Sequence, residues 1–181
     1  MSGKTKPDID EIAHRVMDAV LEDKSKQFEI QLANQSIYVL GSHDTQRPEM
    51  NAIVEALRKR KFPARLVKEH RDRQFLPDFE KEKVIIESAA VLVVLDGKIG
   101  AVVGESAYLM HCSENQHKCV LMVPEENKER ILSTKEHYLY YPAKIVYKDS
   151  KELVDLAVKA AIQTSYRLAV TEVNKRWQKN K

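Results

Sequence analysis

Apolar and polar positions recur with two different periods along the chain, and these periods predict which segments are helices and which are strands. Asp8 and Glu11 form a capping box, and the apolar residues that follow Asp8 repeat at helical spacing. The chain is therefore predicted to open with an amphipathic helix whose apolar positions are Ile9, Ile12, Val16 and Val20.

Five short apolar runs are predicted to be β-strands, and helical patterns follow most of them. Helices are predicted to begin at about Pro48, Asp78, Gly104 and Ser150. The predicted strands are Ile37 to Leu40, Ala64 to Lys68, Ala90 to Leu95, Lys118 to Val123 and Ala143 to Tyr147.

The alternation of strands with helices predicts a parallel sheet that is covered by helices on both faces. The run from Ala90 to Leu95 is apolar throughout, which is typical of a central strand. We therefore predict an α/β protein with a five-stranded, doubly wound parallel sheet, flavodoxin-like or Rossmann-like, plus N- and C-terminal helices. Residues 1–34 are predicted to be a helical extension, and residues 35–181 a single α/β domain.

The predicted C-terminal helix carries two apolar stripes. The first stripe is predicted to face the sheet. The second stripe lies farther along and is predicted to contact the N-terminal helix or a second subunit, because the helix is longer than a five-stranded sheet can cover. The alternative is a single broad buried face. The first stripe contains Leu153, Leu156, Ala160 and Thr164, and the second contains Tyr166, Val170, Val173 and Trp177.

Composition and charge narrow the class of protein. A chain of 181 residues with 43% hydrophobic and 31% charged residues fits one compact domain. The net charge of +3 does not indicate a nucleic-acid partner, and the stretch Arg58 to Arg73, with eight basic and two acidic residues, is predicted to be a solvated helix end and loop.

Cys112 and Cys119 match no zinc or redox spacing. Without a signal peptide or a membrane-spanning run, a soluble, cytoplasmic protein is expected.

The loop after the first predicted strand is the first candidate for ligand binding, because open parallel sheets bind ligands beyond the carboxyl ends of their strands. It reads Gly41, Ser42, His43 and Asp44. A glycine permits close approach of the backbone, and Ser42 and Asp44 offer polar partners for a sugar or phosphate. The alternative is an ordinary turn with a helix cap, since Ser42, Asp44 and Thr45 all favour caps.

The segment after the third predicted strand is the second candidate. Three of the five glycines fall between Gly97 and Gly104, which predicts a loop that bends tightly around a ligand. Asp96 precedes this loop, Glu105 follows it, and Tyr108 is predicted to border the same pocket. The alternative is that Glu105 only complements the positive end of a helix dipole.

Other polar residues give weaker signals. Glu82 lies on the predicted helix before the third strand, where a solvated surface carboxylate is the default. His43, His70 and His111 are scattered at spacings that match no metal site, so no metal is expected.

Short motifs of this chain resemble those of the nucleoside 2-deoxyribosyltransferase superfamily, which includes nucleoside 5'-monophosphate N-glycosidases. The motifs are "IYVLGS", "AAVLVVLDG" and "GESAYL", and they lie between Ile37 and Val123. The related TIR and TIR-like domains begin similarly to "YVLGSHD". The resemblance implies an enzyme that cleaves a base–sugar bond.

The resemblance implies a role for each matching residue. Glu105 corresponds to the carboxylate that attacks or supports the anomeric carbon, Glu82 to an orienting or protonating acid, and Gly41 with Ser42 to the loop that holds sugar or phosphate. His43 and Asp44 complete that loop, and Asp96, Gly97, Gly104 and Tyr108 complete the substrate-binding set.

The chain departs from the family at two places. Ala89 and Ala90 stand where an acidic residue is common, and Ser106 stands where a bulky apolar residue is usual. The alternative is therefore a non-catalytic nucleotide-binding or TIR-like signalling module, and a third reading is a structural protein. We expect a nucleoside or nucleotide ligand, no cofactor, no nucleic-acid or membrane partner, and a homodimer.

Overall fold

A computed structural model of the chain describes residues 9–66, 84–96, 113–129 and 143–179. Three helices are named here: α1 (Ile9–Ala33), α2 (Arg47–Lys59) and α3 (Ser150–Lys179). Residues 84–88 are also helical, and 3-10 turns span Ser113–Lys118 and Glu125–Asn127. The strands are β1 (Ile37–Leu40), β2 (Ala64–Leu66), β3 (Val91–Leu95), β4 (Cys119–Pro124) and β5 (Ala143–Tyr147).

The five strands form one parallel sheet in the order β2-β1-β3-β4-β5. Ile37 of β1 pairs with Ala64 on one side and with Val91 on the other. The chain therefore winds outward from β1 to β2, then crosses back over β1 to begin β3. This reversal of winding direction confirms the predicted doubly wound α/β fold.

The sheet buries apolar side chains on both faces, as two-sided parallel sheets do. Alternate residues of β3 belong to different clusters: Val91, Val93 and Leu95 face α2 and α3, whereas Leu92 and Val94 face the side of residues 84–88. The opposite cluster is completed by Ile85 and Ile86 and by the alternate residues of β1 and β4. Helices therefore cover both faces, as predicted.

α3 uses its two stripes differently, as predicted. Leu153, Ala160 and Thr164 of the first stripe are buried, and Leu156 packs partly buried against the same core. In the second stripe, Tyr166 stacks on Phe28 of α1 with ring centroids 5.6 Å apart. The Lys24 ammonium lies 4.9 Å from the centroid of the Trp177 ring. Tyr166 and Trp177 of the second stripe therefore contact the N-terminal helix, whereas Val170 is 48% exposed.

The predicted apolar face of α1 is exposed at Val16. Its side chain is 57% exposed, and Met17 and Leu21 beside it are 62% and 60% exposed. The described contacts with α3 lie farther along α1, at Lys24 and Phe28, and Val16, Met17 and Leu21 stay exposed. A helical pattern predicts one apolar face and cannot tell how far along the helix a neighbour covers it.

The start of α3 is fixed by a capping arrangement. The Asp149 carboxylate accepts the Glu152 amide at 2.8 Å, and the Glu152 carboxylate accepts the Lys148 amide at 2.7 Å. These bonds explain why the helix begins at Ser150, where it was predicted.

Some predicted elements lie outside the described residues. They are the starting points of the helices expected from about Asp78 and Gly104 and the strand positions after Leu66. No helix in the described part of the chain is long and apolar enough to span a membrane.

Candidate functional site at the carboxyl edge of the sheet

Four polar segments meet where the parallel strands end. Gly41 follows β1, Asp96 follows β3, Asn127 ends the 3-10 turn that follows β4, and Tyr147 is the last residue of β5. Because β1 and β3 are neighbours across the reversal of winding, this edge has the location at which doubly wound sheets bind ligands.

Gln46 joins two of these strand ends through its side-chain amide. Its Oε1 accepts the backbone N–H of Ser42 at 2.9 Å, and its Nε2 donates to the backbone carbonyl of Asp96 at 2.9 Å. The loop after β1 is thus tied to the first residue after β3. Both distances are those of well-formed hydrogen bonds.

Asp96 is a fully buried carboxylate with 0% of its surface exposed. Asn127 Nδ2 donates to its Oδ2 at 3.2 Å, and the Asp96 amide donates to the Met122 carbonyl at 2.8 Å. A buried charge is stable only when donors compensate for lost hydration, so Asn127 is part of what keeps this side chain in place.

Tyr147 adds an ionisable hydroxyl to this edge. Burial, together with the carboxylates of Asp96, Glu49 and Glu126, raises the pKa of the Tyr147 hydroxyl to about 12, although a hydrogen bond with the Gln46 side chain acts in the opposite direction. The hydroxyl therefore stays protonated at neutral pH and remains able to donate a hydrogen bond.

The first turns of α2 and α3 meet at the same edge. Ser150 Oγ, in the first turn of α3, donates to Glu49 Oε1 at 2.8 Å, and Glu49 lies in the first turn of α2. A carboxylate there is favoured by the positive ends of both helix dipoles. The protein's own carboxylate thus occupies a position that would otherwise favour an anion.

Gly41 is required by neighbouring side chains. A Cβ built there would meet Met50 Sδ at 3.0 Å, Gln46 Oε1 at 3.1 Å and Leu95 Cβ at 3.2 Å. The sequence predicted that this glycine makes room for a ligand. The structure adds that its missing side chain makes room for Gln46 and Met50.

The N-cap of α2 is not one of the three residues that the sequence suggested as helix caps. Gln46 is the N-cap, not Ser42, Asp44 or Thr45, and it makes no side-chain cap hydrogen bond. Its amide is instead engaged with Ser42 and Asp96. Pro48 has no N–H, so the first turn needs one fewer acceptor.

The sequence-predicted site residues fall into two groups. Among the described ones, Ser42 and His43 are partly buried in the loop after β1, Asp44 is exposed, and Asp96 is buried. Gly41 and Ser42 are brought close to Asp96 by Gln46. Glu105 and Glu82, with Gly97, Gly104 and Tyr108, lie outside the described residues, and their roles stay predictions.

Sequence reasoning missed Gln46, Asn127, Tyr147 and Glu49. Gln46 and Glu49 read as ordinary first-turn residues, and Asn127 lies in a polar run. The position of Tyr147 at the end of a predicted strand was the one available signal, because the ends of parallel strands share an edge. Among the described residues, no group of three or more His, Cys, Asp and Glu side chains is arranged to hold a metal ion.

A second set of titratable residues lies near the start of β4, at the opposite edge. Lys118 is buried, and its Nζ donates to the Glu87 carbonyl at 3.3 Å. Burial lowers the pKa of Lys118 and raises the pKa of the Cys119 thiol to about 12. Burial, followed by the charges of Lys118 and Arg167, lowers the pKa of His117. The Cys119 thiol is thus protonated and unreactive at neutral pH.

Comparisons with known proteins do not identify the function. No family model matches the chain, and no curated protein matches it. Among solved structures, a diflavin flavoprotein A3 from Nostoc sp. is similar, with 13% sequence identity and a TM-score of 0.42 over 81% of this chain and 97% of that chain. At this level the likeness carries no functional assignment, and the fold class stands on the strand order described above.

Proposed function

We propose that this protein cleaves the N-glycosidic bond of a nucleoside or nucleotide at the carboxyl edge of its sheet, with Glu105 as the nucleophile. One observation carries the proposal: the reversal of winding between β1 and β3 coincides with the polar loops that the sequence motifs single out. Glu105 follows Asp96 by nine residues, so the chain leads to it from this edge.

The proposed reaction has two steps. The Glu105 carboxylate attacks the anomeric carbon, the bond to the base breaks, and the departing base takes a proton from Glu82. Water, or a second base, then displaces Glu105 and returns the proton. The carboxylate suits this chemistry because the sugar passes through an oxocarbenium-like state that negative charge stabilises.

Base release provides the direct test. Purified protein is incubated with nucleosides, deoxynucleosides, their 5'-monophosphates and NAD, and free base is measured by chromatography. We expect release from at least one compound, and loss of release in Glu105→Gln. Glu55→Gln, an exposed carboxylate on α2, is the matched control and should retain release. Equal release by Glu105→Gln and the wild type would disprove the assignment of Glu105.

The second candidate is a nucleotide-binding or TIR-like signalling module without chemistry. It is favoured by Ala89 and Ala90, which stand where the resembled family commonly has an acid, and Ala89 is buried. In this case a compound of the same panel raises the melting temperature but is recovered unchanged. A protein that releases no base and that no compound stabilises would fit neither candidate.

We also propose that the protein forms a homodimer through the first half of α1. The face of α1 that contacts α3 continues toward the N-terminus as Val16, Met17 and Leu21, which are more than half exposed. In an antiparallel pair, the basic end at His14 and Arg15 would lie beside the partner's acidic end at Glu22 and Asp23. Light scattering should show a dimer that Met17→Lys dissociates; a wild-type monomer at high concentration would contradict the proposal.

A further inference from the structure

We infer that four basic side chains at the amino edge of the sheet form a binding site for a phosphate group. They come from the 3-10 turn before β4 and from the second half of α3, which lies against that turn. The four residues are His117, Lys118, Arg167 and Lys175. This edge is opposite to the one at which base–sugar cleavage is proposed, so the phosphate site is independent of that reaction.

Arg167 joins α3 to the turn. Its Nη2 donates to the backbone carbonyl of His117 at 2.6 Å. A guanidinium has five N–H donors, and this bond uses one of them. No carboxylate of the described residues forms an ion pair with Arg167. The guanidinium is therefore held in place by a neutral acceptor and keeps donors and charge for an anion.

Lys118 is the buried member of the cluster, with 6% of its surface exposed. Its Nζ donates to the Glu87 carbonyl at 3.3 Å, and the described residues offer this ammonium no second acceptor. Burial lowers the pKa of Lys118, and nearby Cys119 and Glu87 oppose this only in part. A buried ammonium is costly unless acceptors or an opposite charge replace its hydration. A bound anion would supply both.

His117 lies among these charges with its side chain exposed. Partial burial is the main cause that lowers the pKa of the ring, and the positive charges of the other three members lower it further. Glu172 acts in the opposite direction, and it pairs with Lys175 at 3.1 Å. Both side chains of that pair are about half exposed or more, so the pair is weak and leaves Lys175 available to an anion.

A phosphate group fits this set of donors. It carries up to two negative charges and several acceptor oxygens, so it can accept from an arginine fork, an ammonium and a protonated imidazole at the same time. Negative charge beside the His117 ring favours its protonated form. Phosphate binding should therefore raise the pKa of His117, which the cations of the cluster lower.

A pH titration of the His117 ring by NMR, in the full chain, tests the site. Inorganic phosphate is compared with sodium chloride at the same ionic strength. We expect phosphate to raise the pKa of His117 by about one pH unit in a saturable manner, and chloride to leave it unchanged. Methyl phosphate is the second arm. An equal rise means that the site accepts a phosphate ester, and a rise with inorganic phosphate alone means that it accepts only the free ion.

Two substitutions each remove one donor. Lys118→Met removes the buried ammonium and should weaken phosphate binding at least about tenfold. Lys175→Gln removes an exposed charge and should weaken binding about threefold. Lys159→Gln is the matched control, because Lys159 is an exposed lysine of α3 outside the cluster, and this variant should bind phosphate as the wild type does.

Three results would overturn the inference. They are an absent His117 shift in the wild type, the same shift in phosphate and in chloride, and wild-type phosphate affinity in Lys118→Met or Lys175→Gln. If Lys118→Met does not fold, Lys175→Gln decides, and a loss of equal size in Lys159→Gln would show a general effect of charge and also overturn the inference. None of these measurements depends on base release.

Discussion

Asn127 donates a hydrogen bond from Nδ2 to the buried carboxylate of Asp96 at 3.2 Å, across 31 positions of sequence. The two residues follow neighbouring strands: Asp96 comes directly after β3, and Asn127 closes the 3-10 turn after β4. The bond therefore joins two loops at the carboxyl edge of the sheet.

Loss of this donor should destabilise the protein. Asn127→Ala leaves the Asp96 carboxylate with less compensation for burial, and we expect the free energy of unfolding to fall by about 1–3 kcal/mol. Urea unfolding measures the change. Asn34→Ala, at an exposed position after α1, is the control and should stay within about 0.5 kcal/mol of the wild type. Equal stability of the two variants would count against this role of Asn127.

A methyl group at Gly41 should also destabilise the fold. Replacing glycine by alanine restricts the unfolded chain, which alone would stabilise by about 0.4–1 kcal/mol. Met50 and Gln46 have flexible ends that can move from the new methyl, but Leu95 Cβ, 3.2 Å away, is fixed to its strand. We therefore expect Gly41→Ala to lower the free energy of unfolding by about 1–3 kcal/mol. A more stable variant in urea unfolding would contradict this.

The attachment of α1 should depend on Tyr166. Its ring stacks on Phe28 and meets Phe62 edge-on, with centroids 6.4 Å apart. Such pairs contribute about 0.5–1.5 kcal/mol beyond their buried area, so Tyr166→Ala should speed proteolysis and hydrogen exchange in α1. Val170→Ala on the same helix removes a side chain that is 48% exposed and should have little effect. Equal protection of α1 in the two variants would contradict this contribution of Tyr166.

Stability should fall at alkaline pH because of Cys119 and Tyr147. Burial is the main cause that raises both pKa values to about 12, from 9.0 for the thiol and 10.0 for the hydroxyl. The folded protein therefore holds these protons more tightly than the unfolded chain does, and the stabilisation is full below about pH 9 and lost as pH approaches 12. In urea unfolding at several pH values, Cys119→Ala and Tyr147→Phe should each lose stability less steeply with pH. An unchanged slope in both would be inconsistent with these shifts.

The sequence predicted the elements of the fold well because their signals are local. β1 and β5 have the predicted bounds, β3 begins one residue later than predicted, and β4 is shifted by one residue at both ends. α3 begins at Ser150, where its capping arrangement lies. Strand order is not a local property, yet alternating strands and helices allow few arrangements once connections are right-handed. The exposure of Val16 shows the limit, since coverage of a helix depends on its neighbour's length.

The candidate site was less predictable. Gly41 and Asp96 were predicted because they come directly after strands, and the structure brings their segments together through Gln46. Gln46 and Asn127 could not be predicted. Their hydrogen bonds to Asp96 span 50 and 31 positions of sequence, and such distant bonds produce no repeating pattern of residues. Their roles follow from where the strand ends meet.

Base release from the nucleoside and nucleotide panel tests the central claim most directly. The account predicts that the wild type and Glu55→Gln release free base from at least one compound and that Glu105→Gln releases none above the uncatalysed rate. No release by the wild type, or release by Glu105→Gln at the wild-type rate, would contradict it.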